Sequence, residues 1–200
     1  SCLASRVKLD EQACGSSLIM PKVITLVRHG EGFHNVAQDW SLTDPELTEK
    51  GQAQAAELTD SPEFAGAELI VVSPLTRAIQ TAEIIFGQSP EVPTMVTALH
   101  SERVNEHCDK GRPRSTLEEQ FPFLKDWGGW DELPEIWTQT VESDRLWVRE
   151  RVPAFLDWLR SRPEQRIVVV GHGGFFHGLT TAMRLEKGHM RNCEVLHFTL

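Results

Sequence analysis

Two histidines in this chain stand where an apolar run stops. Val23-Ile24-Thr25-Leu26-Val27 ends in Arg28-His29-Gly30-Glu31, and Ile167-Val168-Val169-Val170 ends in Gly171-His172-Gly173-Gly174. A third run, Leu69-Ile70-Val71-Val72, is followed by Ser73-Pro74-Leu75-Thr76-Arg77. Two guanidinium groups and two imidazoles gathered past strand ends make a pocket whose charge suits a phosphate or carboxylate. A neutral imidazole in such a pocket can also act as a nucleophile. The glycine-bearing loop Glu31-Gly32-Phe33-His34-Asn35 lets the backbone turn sharply and come close to a ligand.

The elements that position these residues follow from the same runs. Consecutive apolar or β-branched residues without period-two alternation suit strands covered on both faces, as in a parallel sheet with helices above and below. Arg28, His29 and His172 then sit at carboxyl ends of strands, where open α/β sheets bind ligands. A helix is expected from Glu49 to Leu58 with Thr48 as N-cap, and Gly51 within it suggests close contact with a neighbouring element. A second helix is expected to start on Ser73 as N-cap and Pro74 as first residue. Its Ile79, Ala82 and Ile85 share one face, and Arg77 near its amino end adds a helix dipole to the anion pocket.

Pro93 to Leu99 reads as a short outer strand. From about 100 to 142, charges, glycines, prolines and Trp127, Trp130 and Trp137 alternate. That region reads as a lid-like insertion assigned to substrate selection rather than core, with a helix from about Ser115 to Phe121. Val141 to Arg160 reads as one long helix that Pro153 should bend or divide, followed by the Ile167 strand, a helix from Phe175 to Arg184 and a last strand from Val195 to Leu200. The expected fold is a single-domain α/β three-layer sandwich, with a mostly parallel central sheet and helices on both faces.

Composition narrows the partners. The net charge of −9 over 200 residues opposes a general nucleic-acid or anionic-membrane binder, which needs a basic face. No apolar run approaches the roughly 18 residues of a membrane span, and residues 1–19 carry no signal-peptide core, so they read as an irregular extension with Met20 as the natural start. Cys2, Cys14, Cys108 and Cys193 are dispersed, which predicts free thiols and a cytoplasmic protein. The histidine and acid spacings match no H-E-x-x-H or cysteine metal site. A metal hydrolase using His29, His172 and His107 or Asp109 is the weaker reading.

Taken in order, the stretches 26–31 with Asn35, 44–51 with Gln54-Ala55, 73–78 with Thr81-Ala82, and 170–174 resemble the histidine phosphatase, or phosphoglycerate mutase-like, superfamily. The resemblance covers nearly everything from Met20 onward. It implies that His29 is a nucleophile forming a phosphohistidine, that Arg28, Arg77 and His172 surround the phosphate, and that Asn35 and Gly173 also bind substrate. Ser101-Glu102-Arg103 is similar to the family's acidic segment and makes Glu102 the proton donor, with Glu106 and Asp109 as competitors. A carboxyl group beside a bound phosphate keeps its proton by like-charge repulsion and can hand it to the leaving oxygen.

No cofactor is implied. The implied substrate is a phosphorylated small molecule or phosphoprotein, with Arg103, Lys110, Arg112 and Arg114 available for a second anionic group. His107-Cys108-Asp109-Lys110-Gly111 with Phe121-Pro122 is similar to a eukaryotic-looking branch. The family's mutases usually carry serine or threonine after R-H-G-E and tryptophan before the asparagine, whereas this chain has Gly32 and His34. That departure favours a phosphatase over a mutase-type transfer. A non-catalytic phosphate-binding module is the reading from another class.

Overall fold

The computed structural model describes residues 21–138, 147–186 and 188–200. The extension at 1–19, the start at Met20 and the first part of the helix expected from Val141 lie outside the described residues.

Five strands, β1 (Val23–Arg28), β2 (Leu69–Val72), β3 (Thr94–Val96), β4 (Arg166–Gly171) and β5 (Val195–Thr199), form one sheet in the order β3-β2-β4-β1-β5. The first four pair in parallel, and β5 runs antiparallel along the outer edge of β1. Around the sheet lie helices α1 (Phe33–Ala37), α2 (Glu49–Ala56), α3 (Thr76–Phe86), α4 (Arg114–Gln120), α5 (Val152–Ser161) and α6 (Gly173–Ala182).

The uninterrupted apolar runs are explained by two cores. Ile24, Leu26, Leu69, Val71, Ile167 and Val169 bury one face of the sheet against Val152, Phe155 and Leu159 of α5 and Phe175, Phe176 and Leu179 of α6. Val27, Ile70, Val72, Val168 and Val170, alternating with them, bury the other face against Ala55 of α2 and Ala78, Ile79, Ala82 and Ile85 of α3. The interior positions of β1, β2 and β4 are therefore buried on both faces of the sheet.

Two elements differ from the sequence expectation. Helix α3 starts at Thr76, three residues past Ser73. Its amino end is served from a distance, because Asp44 accepts from the Thr76 N–H at 2.8 Å and from the Thr76 hydroxyl at 2.7 Å. Ser73 is thereby released for another partner. Of the two outcomes expected at Pro153 the structure shows division: a π-helical turn over Trp147–Arg151 leads into α5, and Pro153 lies in the first turn of α5, where a missing N–H costs little.

The described part of the expected insertion, residues 100–138, divides in two. Leu117, Phe121, Leu124, Trp127, Trp130 and Leu133 are buried in the α3-side core, and both indole N–H groups find acceptors, on Gln88 O at 3.0 Å and Glu118 Oε2 at 3.1 Å. These aromatics extend the core because their polar handles are satisfied. Glu102, Arg103, Asn105, Glu106, Cys108 and Asp109 face a cavity described below.

Gly51 does make the close approach expected of it. A Cβ there would stand 2.1 Å from the Glu31 carbonyl oxygen, and one on Gly30 would stand 2.4 Å from the Gly51 oxygen. The two glycines let α2 lie directly on the loop after His29. Gly51→Ala is expected to lower stability by about 2 kcal/mol, since overpacking against backbone exceeds the helix-propensity gain of about 1 kcal/mol. Urea unfolding at neutral pH checks this; an unchanged or raised midpoint would contradict the close approach.

Candidate active site

Strand register brings the site together. Arg28 pairs with Gly171 across β1 and β4, and Val72 pairs with Val170 across β2 and β4. His29 and His172, one step past that first pair, therefore lie abreast at the carboxyl end of the sheet, with Ser73 level with Gly171 next to them. The His29 and His172 ring centroids are 5.2 Å apart. Both rings are buried, with relative exposures of 2% and 0%.

His29 Nδ1 lies 2.6 Å from the Gly30 carbonyl oxygen. A carbonyl only accepts, so the proton is on Nδ1 and the lone pair is on Nε2. Burial, followed by the Arg77 and Arg28 charges, holds the imidazole well below its ordinary range, so the nucleophilic form persists in acid. His172 is likewise pushed well down, by burial first and then Arg77, and its Nε2 lies 2.7 Å from Ser73 Oγ. This is the partner for which Ser73 is released from capping.

The arginines are built in rather than solvated. Arg77 is 1% exposed; its guanidinium donates to Cys108 O at 2.7 Å and pairs with Asp109 Oδ1 at 3.4 Å. Asp109 Oδ2 in turn accepts from the Asn105 and Glu106 N–H groups. Arg28 donates to Met190 O at 2.6 Å. Nε of both arginines is buried with no hydrogen-bond partner among the described residues, a donor pair suited to an anion.

Glu102 is held by three backbone N–H groups, Gly174 on Oε2 at 2.8 Å and Phe175 and Arg103 on Oε1 at 2.8 and 2.9 Å. His100 anchors the segment before it, donating from Nε2 to Val170 O at 3.1 Å and stacking on Phe155 with centroids 4.9 Å apart. Gly173 begins α6 beside Arg28, whose Nε would be 2.9 Å from a Cβ at that position. Its role visible here is to let the guanidinium pass.

A cavity of about 400 Å³ is lined by Arg28, His29, His34, Asn35, Trp40, Arg77, Glu102, Arg103, Asn105, Glu106, Cys108, Asp109 and Gly174. Of the expected residues, Arg28, His29, Asn35, Arg77 and Glu102 line it, and His172 is fully buried beside His29. Asn35 also accepts from the Gly32 N–H at 3.0 Å. Of Arg103, Lys110, Arg112 and Arg114, Arg103 alone reaches the cavity; Arg112 turns to Asp44 O and Gln120, and Arg114 to Asp131. Cys108 lines the cavity too, but burial pushes its thiol up to about 12, so it is a poor nucleophile at neutral pH.

Cys108 and Cys193 are free thiols, as their spacing predicts. Among the described residues no three histidine, cysteine or acidic side chains gather so as to hold a metal ion, and no helix is long and apolar enough to cross a membrane. Sequence reasoning missed Ser73 as the His172 partner, His34 and Trp40 as cavity walls, and Asp109 as the counter-ion of Arg77. The Gly32–His34 departure was the available signal for His34.

The chain is similar to known proteins. Phosphoglycerate mutase-like protein 1 of Arabidopsis thaliana is 29% identical over 223 residues, spanning 87% of this chain and 79% of its own. A probable phosphatase of Schizosaccharomyces pombe is 30% identical over 161 residues, spanning 76% and 74%. Among solved structures, a mycobacterial glucosyl-3-phosphoglycerate phosphatase complexed with VO3 superposes with a TM-score of 0.56 at 22% identity, covering 88% of this chain and 90% of that one. A phosphoserine phosphatase from Entamoeba histolytica with 3-phosphoglyceric acid gives 0.55 at 24%, covering 88% and 89%. These two likenesses are of fold. The model for the histidine phosphatase superfamily (branch 1) matches residues 24–199, and the chain belongs to that superfamily.

Proposed function

We propose that the chain hydrolyses phosphomonoesters through a phosphohistidine formed on His29. The observation that carries this reading is the Nδ1 hydrogen bond to Gly30 O, which leaves Nε2 as the basic nitrogen in a cavity wall shared with Arg28 and Arg77. Nε2 attacks phosphorus and the bond to the ester oxygen breaks. That oxygen takes a proton from the Glu102 carboxyl group, and Gly30 O supports the Nδ1–H as charge develops on the ring.

In the second half, Glu102 carboxylate takes a proton from water, whose oxygen attacks phosphorus and breaks the N–P bond. Arg28, Arg77 and His172 stabilise the charge spread over the equatorial oxygens, which is most of what phosphoryl transfer demands. Asn35 at the cavity wall and Gly173 beside Arg28 complete the substrate contacts. The name of the S. pombe relative and the Gly32–His34 departure support water as acceptor. Substrates are phosphorylated small molecules or phosphoproteins, chosen by the segment 102–109. The setting inferred from dispersed thiols is cytoplasmic.

Both carboxylates accept backbone N–H groups, and Glu102 is favoured as donor over Asp109 because Asp109 is in addition ion-paired with Arg77. Phosphate release from an alkyl phosphate and from a nitrophenyl phosphate tests the assignment. Glu102→Gln is expected to lose on the order of 10²-fold or more with the alkyl ester, and at least tenfold less than that with the activated one, which needs no proton. Equal losses would assign the proton to another group.

A further inference from the structure

His34 belongs to no expected role, yet it stands inside the site. Its side chain is buried, its ring centroid lies 6.0 Å from that of His29, and it lines the same cavity. Trp40 meets it edge-on at 5.8 Å. Gly32 is what admits it: a Cβ on residue 32 would come within 2.8 Å of both Nδ1 and Cε1 of the ring. The serine or threonine usual at this position in the family's mutases does not fit beside this imidazole, so Gly32 and His34 are one structural change.

The ring's contacts also settle its chemistry. Nδ1 is buried without a hydrogen-bond partner among the described residues. A buried N–H left unpaired costs more than an unpaired acceptor, so the proton belongs on Nε2. Burial, then Arg77 and Arg28, pushes the imidazole down to about 3, which keeps it neutral across the physiological range. It is therefore a fixed N–H donor that adds no charge to a wall already carrying two arginines.

We infer that His34 is a substrate-contacting residue, its Nε2–H donating a hydrogen bond to an equatorial oxygen of the phosphoryl group that His29 attacks. An attack distance of roughly 3 Å and an N–H···O hydrogen bond of about 2.9 Å, set at an angle around one phosphorus, fit the spacing of the two rings. The catalytic part of the inference rests on the proposed phosphohistidine reaction; the binding part does not.

Inorganic phosphate titrated into the purified full chain by calorimetry tests the contact without turnover, and nitrophenyl phosphate hydrolysis tests it in the reaction. His34→Gln places an amide N–H near the position of Nε2, whereas His34→Phe keeps the ring and removes the donor. For a hydrogen bond to a charged acceptor, His34→Phe is expected to weaken phosphate binding about tenfold and to lower kcat by about tenfold to 100-fold, with His34→Gln recovering most of both.

If His34→Phe matches the parent in both assays, the inference is overturned. The same holds if His34→Gln is as poor as His34→Phe while unfolding midpoints equal the parent's, because a packing role predicts that order, or if the parent does not bind phosphate. Failure of the proposed reaction has a different signature: phosphate release that is equal in the parent and His29→Ala, with the phosphate affinities still ordered as predicted.

Discussion

His29→Ala is expected to slow phosphate release from nitrophenyl phosphate on the order of 10⁴-fold to 10⁶-fold, the scale seen when a nucleophile is removed from a site whose parts act as a unit. The loss should fall on kcat and kcat/KM together, because Arg28 and Arg77 still bind the phosphate while no atom replaces Nε2. The alternative nucleophile at the cavity, Cys108, is disqualified by a thiol pushed up to about 12 through burial. Near-ultraviolet circular dichroism of the variant controls for folding, and its spectrum should match the parent's. Retention of more than about a tenth of parent activity would mean that the reaction does not pass through this imidazole.

The second large effect is on stability in acid. His29, His34, His100 and His172 are all buried with lowered imidazole pKa values, to about 3 for His34 and His100, with burial the leading cause in each. In the unfolded chain the same rings take protons near pH 6.5. Below that pH the unfolded state binds more protons than the folded one, so stability is fully present above pH 6.5 and is lost as pH falls.

Each ring contributes a little over 1 kcal/mol per pH unit, and the four together roughly 5 kcal/mol per unit once the unfolded rings are charged. Asp44, whose buried carboxyl is pushed upward, acts in the opposite sense but is one group against four. Against an ordinary total of roughly 5–15 kcal/mol, the protein should unfold cooperatively between about pH 5.5 and pH 4. Urea titrations at pH 7.5 and pH 5.5 should differ by roughly 5 kcal/mol; equal stabilities would mean that these rings are not held neutral in the fold.

What could be read from the residues depended on how local the cause was. The strand ends at His29 and His172 were legible because a two-faced strand writes a continuous apolar run, and an abrupt cationic residue with glycine marks its end. The pairing of β1 with β4, which sets these rings side by side, has no local signal. The start of α3 was misread for the same reason: Ser73-Pro74 looks like a cap, but Asp44, 32 residues away, serves the helix and Ser73 turns to His172.

Asp109 was visible as an acid near Glu102 and not as the partner of Arg77, since an ion pair between separate segments is fixed only by the fold. Trp127 and Trp130 read as lid residues because charges and glycines surround them, although each indole is buried with its N–H satisfied. Gly51 was the opposite case. One helix-weakening glycine among good helix formers pointed directly to the close approach that the structure shows.

The most direct test of the reaction is to trap its intermediate. Brief incubation of the full chain with a ³²P-labelled phosphomonoester, an alkaline quench and peptide mapping should place acid-labile, alkali-stable label on the peptide containing His29, with none in His29→Ala. Label on a serine or carboxylate, or turnover by the parent with no labelled peptide under conditions that preserve phosphohistidine, would contradict the account.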